Sequence, residues 1–207
     1  MENERAKNKI IPDQKKGSET GAEHIVETAS GSKARSVFEN AKRRLQSISE
    51  WPEYCAVSAM KTALTDREGN EVKREPQLGD YIRIDLAGPG PRSGEGYDWV
   101  RVEEIIESGN ADEEEQLYGI QVRPASAPVN SDKDTSHFYT SEATSTFIVE
   151  RKGLLVKASE TGKNEVPNVE TDKMADKVRN TLVAAGGMAG LSGLQWKMLM
   201  KGLLEGN

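Results

Sequence analysis

The sequence predicts an α+β fold: an antiparallel β-sheet or small β-barrel of about six or seven strands, with an N-terminal helix and a C-terminal helical pair. Three observations carry this reading. Strict alternation of apolar and polar residues recurs in short runs through the middle of the chain, as in Tyr81-Ile-Arg-Ile-Asp-Leu86. A period of two with one polar face marks antiparallel strands around one core. No helical pattern separates successive runs, which argues against alternating βα architectures, and helical spacing is confined to the flanks, near residues 33–50 and 171–204.

Residues 1–31 are rich in Lys, Glu, Ser, Thr and Gly and lack hydrophobic periodicity. They read as a flexible polar arm that buries too little to offset its ordering entropy. Residues 32–207 are expected to form one α+β domain. Its first helix spans 33–50, with Phe38, Ala41, Leu45 and Ile48 on one face. Ser36 and Glu39 fit a capping box, and Trp51-Pro52 ends the helix because proline disfavours helix in the residue before it. The β region covers 54–158, with runs at Tyr81–Leu86, Trp99–Glu103, Tyr118–Arg123, Thr146–Val149 and Leu154–Ala158. A hairpin is expected at Arg151-Lys-Gly153, and a further strand within Tyr54–Leu64 before a turn at Arg67–Asn70. The helical pair covers 171–204. Met174, Val178, Leu182 and Ala185 form one stripe, and a capping box at Ser192 and Gln195 opens the second helix, buried through Met198, Leu199, Leu203 and Leu204.

Composition narrows the function classes. The chain has 207 residues, 35% hydrophobic and 30% charged, with a net charge of -6 and a mean hydropathy of -0.68. Residues 54–169 hold 13 basic and 21 acidic side chains. Phosphate binding needs clustered Lys and Arg, so nucleic acid is not an expected partner of this region. One cysteine permits no intrachain disulfide, and with two histidines it argues against a zinc site; no metal or other cofactor is expected. The first residues lack the apolar run of a secretory signal. The uncharged stretch Thr181–Trp196 is shorter than the roughly 20 apolar residues that span a bilayer. The chain therefore reads as soluble and cytoplasmic, with no membrane span.

Candidate sites follow from residue type and position. The stretch Gly88-Pro-Gly-Pro-Arg-Ser-Gly-Glu-Gly96 joins two alternating strands, stiff through its prolines and free to turn through its glycines. No Gly-Lys-Ser/Thr follows, so it is not a phosphate-binding loop. It would present Arg92, Asp98 and Trp99 to a ligand or partner, or serve only as a wide connection. His137 is the only histidine outside the expected arm, so histidine-dependent chemistry in the domain must use it. Asn164, Glu165 and Asn168 follow the last strand and would bind a polar ligand or cap the next helix.

Cys55-Ala-Val-Ser-Ala-Met60 resembles the segment around the nucleophile of papain-like hydrolases, without the Gln and glycines usual before that cysteine. The resemblance implies a thiolate at Cys55, His137 as base and Asp98 orienting it. With no catalytic constellation in the sequence itself, the leading reading is a non-catalytic binding or assembly module. It would act through the Gly/Pro loop and the N-terminal arm, on a protein or a small ligand. A cysteine-dependent hydrolase is the alternative. A small-ligand carrier is the second, with an apolar cavity lined by Met174, Met188, Met198 and Met200.

Overall fold

A computed structural model describes residues 2–55, 60–86, 94–110, 112–128, 135–168 and 189–206. Its elements are α1 (Glu2–Ile10), β1 (Ser18–Glu27), α2 (Gly31–Gln46), a 3-10 turn (Ile48–Glu50), α3 (Trp51–Tyr54), β2 (Met60–Thr65), β3 (Tyr81–Leu86), β4 (Asp98–Ser108), β5 (Glu115–Pro124), β6 (Thr144–Lys152), β7 (Leu155–Glu165) and α4 (Ala189–Glu205). The strands form one open antiparallel sheet in the order β1-β7-β6-β5-β4-β3-β2. The predicted α+β class, with an antiparallel sheet of seven strands, is the observed one. Strands β2 to β7 follow one another across the sheet, and β1 returns to pair with β7.

The expected flexible arm is corrected by two ordered elements. From Ser18 to Glu27, β1 pairs along the length of β7, so backbone hydrogen bonds supply what side-chain burial does not; Ala22 is its one buried residue. On α1, Ile10 is fully buried against Leu117 and Ile148, with Ala6 partly buried beside it. Polar side chains complete the attachment: Asn3 Nδ2 donates to Gln116 O at 3.1 Å, and Lys7 Nζ pairs with Glu150 at 2.6 Å. Along β6, Ile148 faces α1, whereas its neighbours Phe147 and Val149 belong to the main core. The alternation of the strand thus gives the sheet two covered faces.

The main core lies on the other face. From α2 come Ala34, Phe38, Ala41 and Leu45, and from α4 come Leu199, Met200, Leu203 and Leu204, packed over Ile82, Val100, Val102, Ile120, Val122, Phe147, Val149, Val156 and Ala158. Trp51 and Trp196 flank Phe147, with ring centroids 5.0 and 5.2 Å away. Arg44 Nη1 donates to Leu203 O at 2.7 Å, satisfying a carbonyl at the C-terminal end of α4 where cations are favoured. His24 Nε2 lies 2.8 Å from Glu205 and ties β1 to the same helix.

Helix ends differ from the sequence expectation. Ser30, in extended conformation, caps α2 by accepting from Lys33 N at 3.3 Å, and Ser36 lies inside the helix. Pro52 does not end the helical segment; it sits in the first turn of α3, where its missing N–H has no helical partner to lose. Ser192 is likewise within α4, which begins at Ala189, and the expected first member of the helical pair falls at 171–185, outside the described residues. Among the described residues no helix is long and apolar enough to cross a membrane.

The approach of α4 to α3 depends on Gly202, because a Cβ there would lie inside contact distance of the Tyr54 backbone carbonyl. Helix propensity alone would favour alanine by about 1 kcal/mol. The clash is with backbone and cannot be relieved by a rotamer change, so G202A is expected to destabilise by roughly 1–3 kcal/mol. Urea denaturation checks this, and an unchanged or raised midpoint would contradict the close helix contact.

Candidate functional site

Beneath the N-terminal half of α4 the core leaves a cavity of about 90 Å³. Larger clefts, of about 590, 590 and 430 Å³, are more open to solvent and lined mainly by polar and charged side chains. The smaller cavity is the better-formed site, because enclosure strengthens whatever polar contacts it offers. Most of its wall is apolar: Ala22, Trp51, Ile82, Ile84, Val100, Val122, Phe138, Phe147 and Trp196. The polar lining residues are Thr20, Asp98, His137, Tyr139, Ser145, Glu160, Glu165 and Gln195.

Strand geometry explains how the carboxyls reach this place. On β7 the buried positions run Val156, Ala158, Glu160 in steps of two, so Glu160 follows two core residues onto the core face. Asn164, at φ 55°, breaks that alternation, and the next residue, Glu165, lines the cavity too. Room for its carboxylate comes from Gly162, since a Cβ there would collide with Glu165 Oε1 and Thr20 Oγ1.

The two glutamates are held differently. Glu165 accepts from Thr20 Oγ1 at 2.9 Å and is also bonded by the Tyr139 side chain. Burial raises its pKa, and these hydroxyls oppose the rise. Glu160 is 2% exposed, and neither of its carboxyl oxygens has a hydrogen bond of good geometry. The Ser145 hydroxyl is near enough only to favour its charge weakly. Burial, and then the neighbouring Glu165, push the Glu160 pKa up to about 8. In this cavity the carboxyl is therefore mostly protonated at neutral pH. The Tyr139 phenol is also raised, chiefly by burial and next by Glu165.

Of the residues expected from sequence, Asp98, His137 and Glu165 are brought together around this cavity. Asp98 is buried at the start of β4. His137 accepts the Tyr139 backbone N–H on Nδ1 at 3.0 Å and stacks on Phe138 at 4.2 Å. In its neutral form the ring therefore carries its proton on Nε2. Asn168 pins the same segment, donating to Thr135 O and His137 O.

Others are placed elsewhere. Trp99 is buried outside the cavity, donating from Nε1 to Gly94 O at 3.2 Å and meeting Tyr81 edge-on at 6.4 Å. Asn164 is turned to the connection between α1 and β1, accepting from Lys15 N at 2.7 Å and donating to Asp13 O at 3.1 Å. Arg92 falls outside the described residues, as do Met174 and Met188. Neither Met198 nor Met200 lines the cavity, so the expected methionine lining is replaced by aliphatic and aromatic walls. Cys55 is 4% exposed and also outside the cavity lining. Its thiol faces Gln195 O at 3.8 Å, and burial pushes its pKa up to about 11, the reverse of what an activated thiolate needs.

Glu160 is the residue that sequence reasoning missed. The signal was present: extending the alternation of Val156 and Ala158 by one more step places a carboxylate on the inward face.

No protein-family model matches the chain, and no curated protein matches it in sequence. Solved structures similar to it include truncated norcoclaurine synthase from Thalictrum flavum, at 12% identity over 94% of this chain and 99% of that one, with a TM-score of 0.39. A protein from Thermus thermophilus is 15% identical over 91% and 95% of the two chains, with a TM-score of 0.41. Ara h 8.0201 is 8% identical over 90% and 99%, with a TM-score of 0.37. At these scores the likenesses assign no function to this chain.

Proposed function

We propose that this chain is a non-catalytic binding module that takes a small, largely apolar molecule into the cavity beneath α4. One observation supports the reading: a partly enclosed space with a mainly apolar wall, lined also by a few polar side chains that include the buried Glu160, whose carboxyl oxygens have no hydrogen bond of good geometry. Apolar walls supply affinity, and a few placed polar groups supply orientation. A buried carboxyl left without partners costs stability, and a ligand that bonds to it recovers part of that cost. The other readings have less support. Residues 18–27 form a paired strand rather than a free docking arm, most of the Gly/Pro loop lies outside the described residues, and Cys55 has a raised rather than a lowered pKa.

The space is small, about 90 Å³, so slender probes set the test. Trp51 and Trp196 line the cavity and report on its contents. Hexan-1-ol, cyclohexanol and hexylamine are expected to change tryptophan emission saturably, and Ala22→Leu, which fills the cavity from β1, is expected to abolish the change while the protein stays folded. If no compound gives a saturable signal, or A22L binds as the parent does, the reading is wrong.

A further inference from the structure

We propose that the cavity selects a small organic cation, an aliphatic or aryl amine, whose ammonium group is received by the carboxylate of Glu160 beside Glu165. This deepens the binding reading above and rests on it. Three carboxyl side chains, Asp98, Glu160 and Glu165, line the cavity, and no Lys or Arg is among its described lining residues. Such a lining offers an anion no countercharge, whereas a carboxyl that ionises beside a bound cation is attracted to it, and the low dielectric strengthens that attraction. The lining also divides into acceptors that are already engaged and one that is open. Glu165 is engaged by Thr20 and Tyr139, whereas Glu160 is almost wholly buried and neither of its oxygens has a partner of good geometry. An ammonium supplies three donors in a compact head, enough to satisfy Glu160 and reach a second acceptor. A metal ion fits less well, since among the described residues no three His, Cys, Asp or Glu side chains are grouped to hold one.

Binding carries a proton balance. The polar groups that share the cavity with Glu160 are Glu165 on its own strand, Asp98 from β4, His137 and Tyr139 from the segment before β6, Ser145 from β6, Thr20 from β1 and Gln195 from α4, and of these Glu165 and Ser145 act on it directly. With Glu160 holding its proton up to about pH 8, an amine that arrives protonated expels that proton to solvent and leaves an ammonium–carboxylate pair. Amine affinity should then rise up to about tenfold per pH unit as pH climbs toward 8, and flatten above it.

The test uses three compounds of one apolar body on the full chain: hexylamine, hexan-1-ol and hexanoate. Tryptophan emission and calorimetry are expected to rank hexylamine at least tenfold tighter than hexan-1-ol, with hexanoate weakest. At neutral pH the hexylamine enthalpy should differ between phosphate and Tris buffers by the heat of up to one released proton. Glu160→Gln should erase both the amine preference and the proton release while hexan-1-ol still binds. Glu165→Gln is the companion variant, expected to weaken hexylamine without abolishing proton release. Equal affinities for amine and alcohol in the parent protein, or an amine preference that survives in E160Q, overturn the cation assignment alone. If none of the three compounds binds, the cavity reading fails and this assignment fails with it.

Discussion

Replacing Glu160 with glutamine is expected to stabilise the protein strongly at pH 8 and hardly at all near pH 4. Glu160 has a pKa pushed from 4.5 to about 8 in the folded protein. Below pH 4.5 both the folded and unfolded states hold the proton, and burial of the neutral carboxyl carries no ionisation penalty. As pH rises from 4.5 to 8 the unfolded chain ionises while the folded chain stays protonated, so the parent protein loses stability at up to about 1.4 kcal/mol per pH unit. Above pH 8 the folded state ionises too, and the loss levels off. The accumulated penalty is on the order of 5 kcal/mol, a large part of the roughly 5–15 kcal/mol typical of a domain. Glutamine has no charge to bury and escapes it. Urea titrations of the parent and E160Q at pH 4, 6 and 8 check this. A stability difference that does not grow with pH would mean that Glu160 ionises freely in the fold. A residue that lowers stability at its own position is characteristic of binding sites, where the ligand supplies what the fold withholds.

Trp51→Ala should have the opposite sign and a similar size. Trp51 is 1% exposed, packs on Phe147 at a centroid distance of 5.0 Å and donates from Nε1 to Leu45 O at 3.1 Å. Truncation enlarges the existing cavity instead of letting the core collapse, because the sheet on one side and the helices on the other fix its walls. The expected loss is about 3–5 kcal/mol. Trp51→Phe keeps most of the ring packing and removes the indole donor, at an expected cost of about 1–2 kcal/mol. Urea midpoints of the two variants separate packing from hydrogen bonding. A cost below about 1 kcal/mol for alanine would show that the Trp51, Phe147 and Trp196 group does not anchor the core.

The alternating runs determined the fold class because period two is a local property. Ile82 and Ile84, or Phe147 and Val149, share a face in any sheet that forms, and the core used that face. The helical face of Phe38, Ala41 and Leu45 was legible for the same reason. What misled was polarity where tertiary partners supply the stability. Strand β1 is held by its hydrogen-bonded pairing with β7, which lies some 130 residues away in sequence, and α1 by Ile10, the small Ala6 and a few polar side-chain contacts. Neither leaves a hydrophobic pattern to read.

The site divides in the same way. The sequence by itself picked out His137, Asp98 and Glu165 as polar residues beside the strands, but its reason for setting His24 aside fails, because His24 lies on β1 within the sheet. Only the tertiary structure decided that these meet Glu160 in one cavity, that Trp99 and Asn164 serve packing and loop anchoring, and that Cys55 is sealed away with a raised pKa. The physical reason is range. Side-chain periodicity is fixed by neighbours two to four residues apart, whereas the burial of Glu160 depends on residues from β1, β4, β6 and α4, and its repulsion by Glu165 on the break of alternation at Asn164, which no regular pattern records.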